Sequence, residues 1–173
     1  VLFQSCFEIV EQVFLKADGS GNFQLVLNLS KSKTRLNSII KMQTINGHEV
    51  PSKEEIKRKI TDIEKTVSKT AGLSQVKTSV DFDNYIASIT CNFTKVTQMN
   101  DAVKNVFLKE NAKEKPPEKF YEYNTGTKVF ERLNNFSFKD EYKKLSNADR
   151  EIFATANYTA IFKFETSVVA SAN

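Results

Sequence analysis

The chain has 173 residues, 40% hydrophobic and 27% charged, which suits one globular domain and excludes any run of the ~20 apolar residues that a membrane helix needs. Its 25 Lys and Arg stand against 21 Asp and Glu, and most cations sit beside acids, as in Glu54-Glu55-Ile56-Lys57-Arg58-Lys59 and Lys139-Asp140-Glu141-Tyr142-Lys143-Lys144. A nucleic-acid binder gathers its basic residues on one face, so nucleic acid is not an expected partner. Two cysteines, Cys6 and Cys91, are too few for a disulfide framework.

Near the start of the sequence, Leu2-Phe3-Gln4-Ser5-Cys6 has the form of the end of a lipoprotein signal peptide. There, an apolar run meets a small residue and then a cysteine that is acylated and becomes the mature N-terminus. Two other readings stay open. Val1-Leu2-Phe3-Gln4 is also the core of a viral protease recognition site used in cloning, and a third reading makes Cys6 an ordinary apolar residue entering the first strand. The first reading divides the chain into an anchor segment, residues 1–6, and one domain, residues 7–173.

Phe7 to Lys16 and Phe23 to Ser30 flank Ala17-Asp18-Gly19-Ser20-Gly21-Asn22, a hairpin signal, and Phe23, Leu25, Leu27 and Leu29 alternate with polar neighbours. A helix is expected near Lys33 to Thr44, broken by Asn46-Gly47. Pro51-Ser52-Lys53-Glu54-Glu55 opens the clearest helix, because Ser52 and Glu55 have capping-box spacing and Ile56, Ile60, Ile63 and Val67 form one stripe. Val76, Thr78, Val80 and Phe82 then share a strand face, as do Tyr85, Ala87, Ile89, Cys91 and Phe93, with a turn at Asp83-Asn84 between them. A helix over Asn100 to Lys109 follows, then a charged, proline-bearing loop at residues 111–118. Phe120 to Tyr123 and Lys128 to Leu133 form a hairpin around Asn124-Thr125-Gly126, and short helical turns are expected within Lys139 to Phe153. A last strand from Asn157 to Glu165 turns Tyr158, Ala160, Phe162 and Phe164 inward. The expected fold is α+β: a mainly antiparallel sheet built from β-hairpins, with amphipathic helices packed on one face.

At this point a family resemblance emerges. Cys6, the Asp18-Gly19-Ser20-Gly21 tip behind it, the Pro51-Ser52-Lys53-Glu54 helix start and Phe136-Ser137-Phe138-Lys139 together resemble uncharacterised envelope lipoproteins of the Bacteroidota. The resemblance implies an outer-membrane lipoprotein anchored through Cys6, and a chain that stops short of a further C-terminal hairpin. Phe7-Glu8-Ile9-Val10-Glu11 is only weakly acidic, which favours the periplasmic side over the cell surface.

Signals for chemistry are sparse. His48 is the lone histidine and falls in a turn, so it is a poor base or ligand. Asp18-Gly19-Ser20-Gly21-Asn22 lacks the acids of a calcium loop and reads as a hairpin tip. Asp81 and Asp83 flank Phe82 and read as turn formers, and Cys91 as a buried, inert thiol. The sequons headed by Asn28, Asn92, Asn135 and Asn157 match what an Asn-, Ser- and Thr-rich composition produces. Phe120, Tyr121, Tyr123 and Phe130 are the candidate binding surface, since adjacent residues of a strand face opposite sides of a sheet; burial of both sides by a covering helix is the rival reading. No catalytic residue, metal site or cofactor is expected. The expected function is a non-catalytic binding or scaffold domain with an envelope protein partner. A carrier of a lipid or other apolar ligand is the alternative, and a carboxylate-based hydrolase comes third.

Overall fold

Alternation builds the sheet. The computed structural model describes residues 7–45, 47–110, 119–133 and 156–172, together with Lys143, Asn147 and Arg150. β1 (Glu8–Leu15) and β2 (Gly21–Asn28) form the predicted hairpin, with Val13 opposite Phe23. At its tip, Asp18 accepts hydrogen bonds from the Ser20 amide and hydroxyl at 2.8 and 2.7 Å, and Gly19 takes φ +88°, a conformation that costs glycine little. Gly21 is held by space instead: a Cβ there would lie 1.9 Å from the Phe14 carbonyl oxygen.

A 3-10 turn over Ser30–Ser32 leads into α1 (Lys33–Ile39), which is shorter than the helix expected to run to Thr44. The chain then makes a small ladder of β3 (Thr44–Ile45) with β4 (His48–Glu49), and Gly47 at φ +80° lets it reverse. His48 therefore belongs to a strand and not to the turn itself. α2 (Lys53–Ser68) has the predicted capping box: the Glu55 amide donates to Ser52 Oγ at 3.2 Å and the Ser52 amide returns a bond to Glu55 Oε2 at 2.7 Å. Its stripe is half-buried at Ile56, Ile60 and Ile63 and becomes fully buried at Val67.

β5 (Leu73–Asp81) and β6 (Ile86–Phe93) pair antiparallel, with a slip in register between Ser74 and Lys77. Asp81 forms the turn between them, accepting from the Asp83 and Asn84 amides at 2.8 and 3.0 Å. α3 (Gln98–Glu110) is followed by the hairpin of β7 (Tyr121–Asn124) with β8 (Val129–Arg132), and β9 (Asn157–Phe164) comes last. The main sheet has the order β5-β6-β2-β1-β9, so β1 and β2 are interior and β5 and β9 are edges.

The protein is thus α+β, with a mainly antiparallel five-stranded sheet and helices packed against it. β9 is the exception to hairpin construction, because it runs parallel to β1, with Val13 opposite Phe162 and Leu15 opposite Phe164. Parallel pairing needs a long connection, and here everything from Lys16 to Ala156 lies between the two strands. One sheet face carries Val13, Leu15, Phe23, Cys91 and Phe93, and Val96, Met99 and Tyr121 close over them to complete the core. Of the four β9 side chains expected to face in, Phe162 and Phe164 pack against this core. Tyr158 and Ala160 share their face but are exposed, whereas the Phe130 ring packs on Phe162 and Phe164.

Candidate functional site

Glu11 is the one acid among the buried side chains described, at 3% exposure. Its place follows from the period of two: it shares a face with Val13 and Leu15, so the strand that buries those two must bury a carboxylate as well. An unpaired carboxylate in such a place would be very costly, and two neighbours prevent that. Arg132, the last residue of β8, donates from Nε to Glu11 Oε1 at 3.1 Å and from Nη2 to Oε2 at 3.2 Å, a two-pronged ion pair. The Tyr158 hydroxyl on β9 donates to Glu11 Oε2 and accepts from Arg132 Nη2 at 3.2 Å. The buried Tyr121 phenol lies within the field of the same carboxylate.

The guanidinium is held from its other sides too. Arg132 Nη1 donates to the Leu133 carbonyl at 2.8 Å, and the Phe120 and Tyr121 rings lie 5.3 and 5.2 Å from its central carbon. Burial, then the charge of Glu11, push the Tyr121 phenol far above its ordinary range. Burial and Glu11 likewise push Tyr158 up to about 12. For Arg132, burial works against the charged form, but the bonds to Glu11 outweigh it and the group is held firmly cationic. The result is a closed network that ties β1, the β7–β8 hairpin and β9 together.

The four predicted surface aromatics are all found at this clasp or beside it. Tyr121 is buried, at 3% exposure, and Phe120, Tyr123 and Phe130 are half-buried against the same core. Phe130 packs its ring 5.2 Å from Phe162 and 5.7 Å from Phe164, and the Tyr123 hydroxyl donates to the Ala17 carbonyl at 3.1 Å. Phe120 and Tyr121 do not point to opposite sides as strand alternation implies. Phe120 precedes the first residue of β7, so alternation does not govern it, and both rings flank one guanidinium.

Asn100, in the first turns of α3, fixes the same segment. Its Oδ1 accepts from the Phe120 and Tyr121 amides at 2.8 and 3.0 Å, and its Nδ2 donates to the Tyr121 carbonyl at 2.9 Å. Between α3 and the β7–β8 hairpin lies an open cleft of about 760 Å³, whose wall includes Thr97, Glu122, Asn124, Thr127 and Glu131. Polar and apolar surface contribute about equally to the wall, with Tyr121, Tyr123 and Val129 as its main apolar parts.

The remaining candidates fall into structural positions. Cys91 is buried beside the Met99 sulfur at 3.7 Å, and burial pushes its thiol up to about 11, far from the thiolate that nucleophilic chemistry needs. Two Ser20 bonds hold the Asp18 carboxyl below its usual range, and Asn84 does the same for Asp81. Among the described residues, no group of three His, Cys, Asp or Glu stands close enough to hold a metal ion, and no helix is long and apolar enough to cross a membrane. Cys6 and Asn135 lie outside the described residues.

Sequence reading missed Glu11 and Arg132. The spacing Glu11-Val13-Leu15 was the available signal, since a carboxylate in phase with two apolar strand residues calls for a buried cation. Fold and site together define a small α+β domain pinned by an internal ion pair. No protein-family model, curated protein or solved structure matches the chain.

Proposed function

We propose that this chain is a bacterial envelope lipoprotein, held at the periplasmic side of the outer membrane by lipid on Cys6, and that its domain binds or scaffolds a protein partner without catalysing a reaction. The lipobox-like Leu2-Phe3-Gln4-Ser5-Cys6 carries this reading. The fold supports it through position. Only Phe7 separates Cys6 from Glu8, the first residue of β1, so an acyl anchor would hold that end of the sheet close against the bilayer. Glu8 pairs with Asn28, the end of β2, and from there the chain runs directly into the 3-10 turn and α1, which bring Lys31, Lys33 and Arg35 to the same end. Basic residues near an anionic membrane surface each add about 1 kcal/mol to acyl anchoring, itself roughly 0.8 kcal/mol per buried methylene.

Binding is favoured over catalysis because the buried charged groups are spent on one another. Arg132 Nε and Nη2 and the Tyr158 hydroxyl all donate to Glu11, which leaves that carboxylate little capacity to act on a substrate. An apolar-ligand carrier calls for an enclosed apolar chamber. The cleft beside the clasp is open rather than enclosed, which favours the scaffold reading.

Intact mass and membrane partitioning of the full-length protein, with and without Cys6→Ala, test the proposal. Acyl mass and membrane retention that both vanish in the variant are the expected result. An unmodified, soluble protein in both cases would remove the anchor and the localisation built on it.

A further inference from the structure

Between Asp18 and Glu49 the sequence has no acid and four cations, Lys31, Lys33, Arg35 and Lys41. Taking these four from the 25 Lys and Arg leaves 21, equal to the 21 Asp and Glu, so this one segment carries the whole net charge of +4. All four are exposed, and none is in an ion pair among the described residues. Apolar side chains travel with them. Leu36, Ile39 and Ile40 are only half-buried, no residue of α1 is fully buried, and Met42 just beyond it is 50% exposed. The segment is tied to the sheet at Tyr85, whose carbonyl accepts from the Leu29 amide at 2.9 Å and whose hydroxyl donates to Asn37 Oδ1 at 2.5 Å. Asn28, which leads into it, pairs with Glu8 on one side and Ile86 on the other, so the segment leaves the sheet at the end where β1 begins.

We propose that residues 30–42 form a membrane-docking surface, which lies on a bilayer of anionic phospholipid with the four cations among the headgroup phosphates and Met42 dipping into the interface. Charge complementarity selects the occupant, because a basic segment interleaved with apolar residues is held at an anionic bilayer surface by both parts at once. Nucleic acid offers the same negative charge but no apolar layer to receive Met42. The proposal rests on the anchor reading for its geometry: lipid on Cys6, two residues ahead of Glu8, brings this end of the sheet to the bilayer, where the segment is a second attachment.

The segment is tested apart from the anchor on the 173-residue chain carrying Cys6→Ala, which cannot be acylated there, by co-sedimentation with vesicles of phosphatidylcholine alone or mixed with phosphatidylglycerol. Binding to the mixed vesicles that weakens with salt, and none to the neutral ones, is the expected result. Lys33→Gln with Arg35→Gln lowers this binding roughly 30-fold, and Met42→Ser lowers it with the charge unchanged, each with unaltered circular dichroism. Lys16→Gln with Lys95→Gln makes the same change of charge at the opposite end of the sheet, where β1 ends and the Val96 amide meets the Gly19 carbonyl, and leaves binding intact. A Cys6→Ala chain that ignores the mixed vesicles overturns the inference, while acyl mass on the native protein still judges the anchor separately. Equal losses in the two double variants, or retention by a duplex oligonucleotide in place of the vesicles, overturn it as well.

Discussion

Glu11 and Glu55 are both glutamates that organise a small network, but the two networks do different work. Glu55 reaches back one helical turn to Ser52, is exposed to water, and closes the start of α2 with bonds that span three residues. Glu11 joins groups 121 and 147 positions away and sits where water cannot replace them. The lesson concerns what happens when a partner is lost. Water can take the place of Ser52, whereas an orphaned Glu11 keeps its burial and loses its compensation.

The sharpest break in this comparison is Arg132→Ala or Glu11→Ala. Each leaves one buried charge alone and is expected to cost about 3–5 kcal/mol in urea unfolding. Glu11→Met with Arg132→Met removes both charges and should recover most of the loss, because apolar groups of similar volume need no partner. Equal penalties for the single and double variants would mean that shape, and not the stranded charge, sets the cost.

The same contrast explains what the sequence discloses. Ser52 and Glu55 are legible because a capping box is complete within four consecutive residues, and Asp18 with Gly19 and Ser20 is legible for the same reason. Alternation reveals the β1–β2 and β5–β6 faces, and with them the α+β class. It does not reveal which strand lies beside which. A period of two is identical in parallel and antiparallel strands, so the parallel seat of β9 on β1 could not be read from Asn157 to Phe164. Arg132 as the partner of Glu11 depends on that same long-range assembly. Alternation also fails where a strand has not begun, which is why Phe120 and Tyr121 end on one guanidinium.

Tyr158 gives the clasp a pH signature that the cap lacks. Its folded pKa of about 12 lies above the ordinary tyrosine value near ~10, so the native state holds this proton more tightly than the unfolded chain does. Its contribution to stability is therefore complete below about pH 10 and is lost as pH rises through the folded value. An alkaline unfolding series should show wild-type stability falling across that window, and Tyr158→Phe should be less stable at neutral pH and lack this part of the fall. Ultraviolet titration of tyrosinate should lose one late-ionising group in the variant. Identical alkaline slopes would detach Tyr158 from Glu11.

The smallest effect belongs to the cap. Ser52→Ala removes the oxygen that receives the Glu55 amide and should cost about 1 kcal/mol, a typical loss for a helix N-cap. Its pH dependence runs opposite to that of Tyr158. Bonds from the Ser52 amide and hydroxyl hold the Glu55 carboxyl below its usual range, so this contribution is present above the unfolded carboxylate pKa and disappears as pH falls through the folded one. Acid should therefore narrow the gap between wild type and Ser52→Ala. A Ser52→Ala penalty unchanged down to strongly acidic pH would show that the cap acts through the Ser52 oxygen alone, with Glu55 contributing nothing.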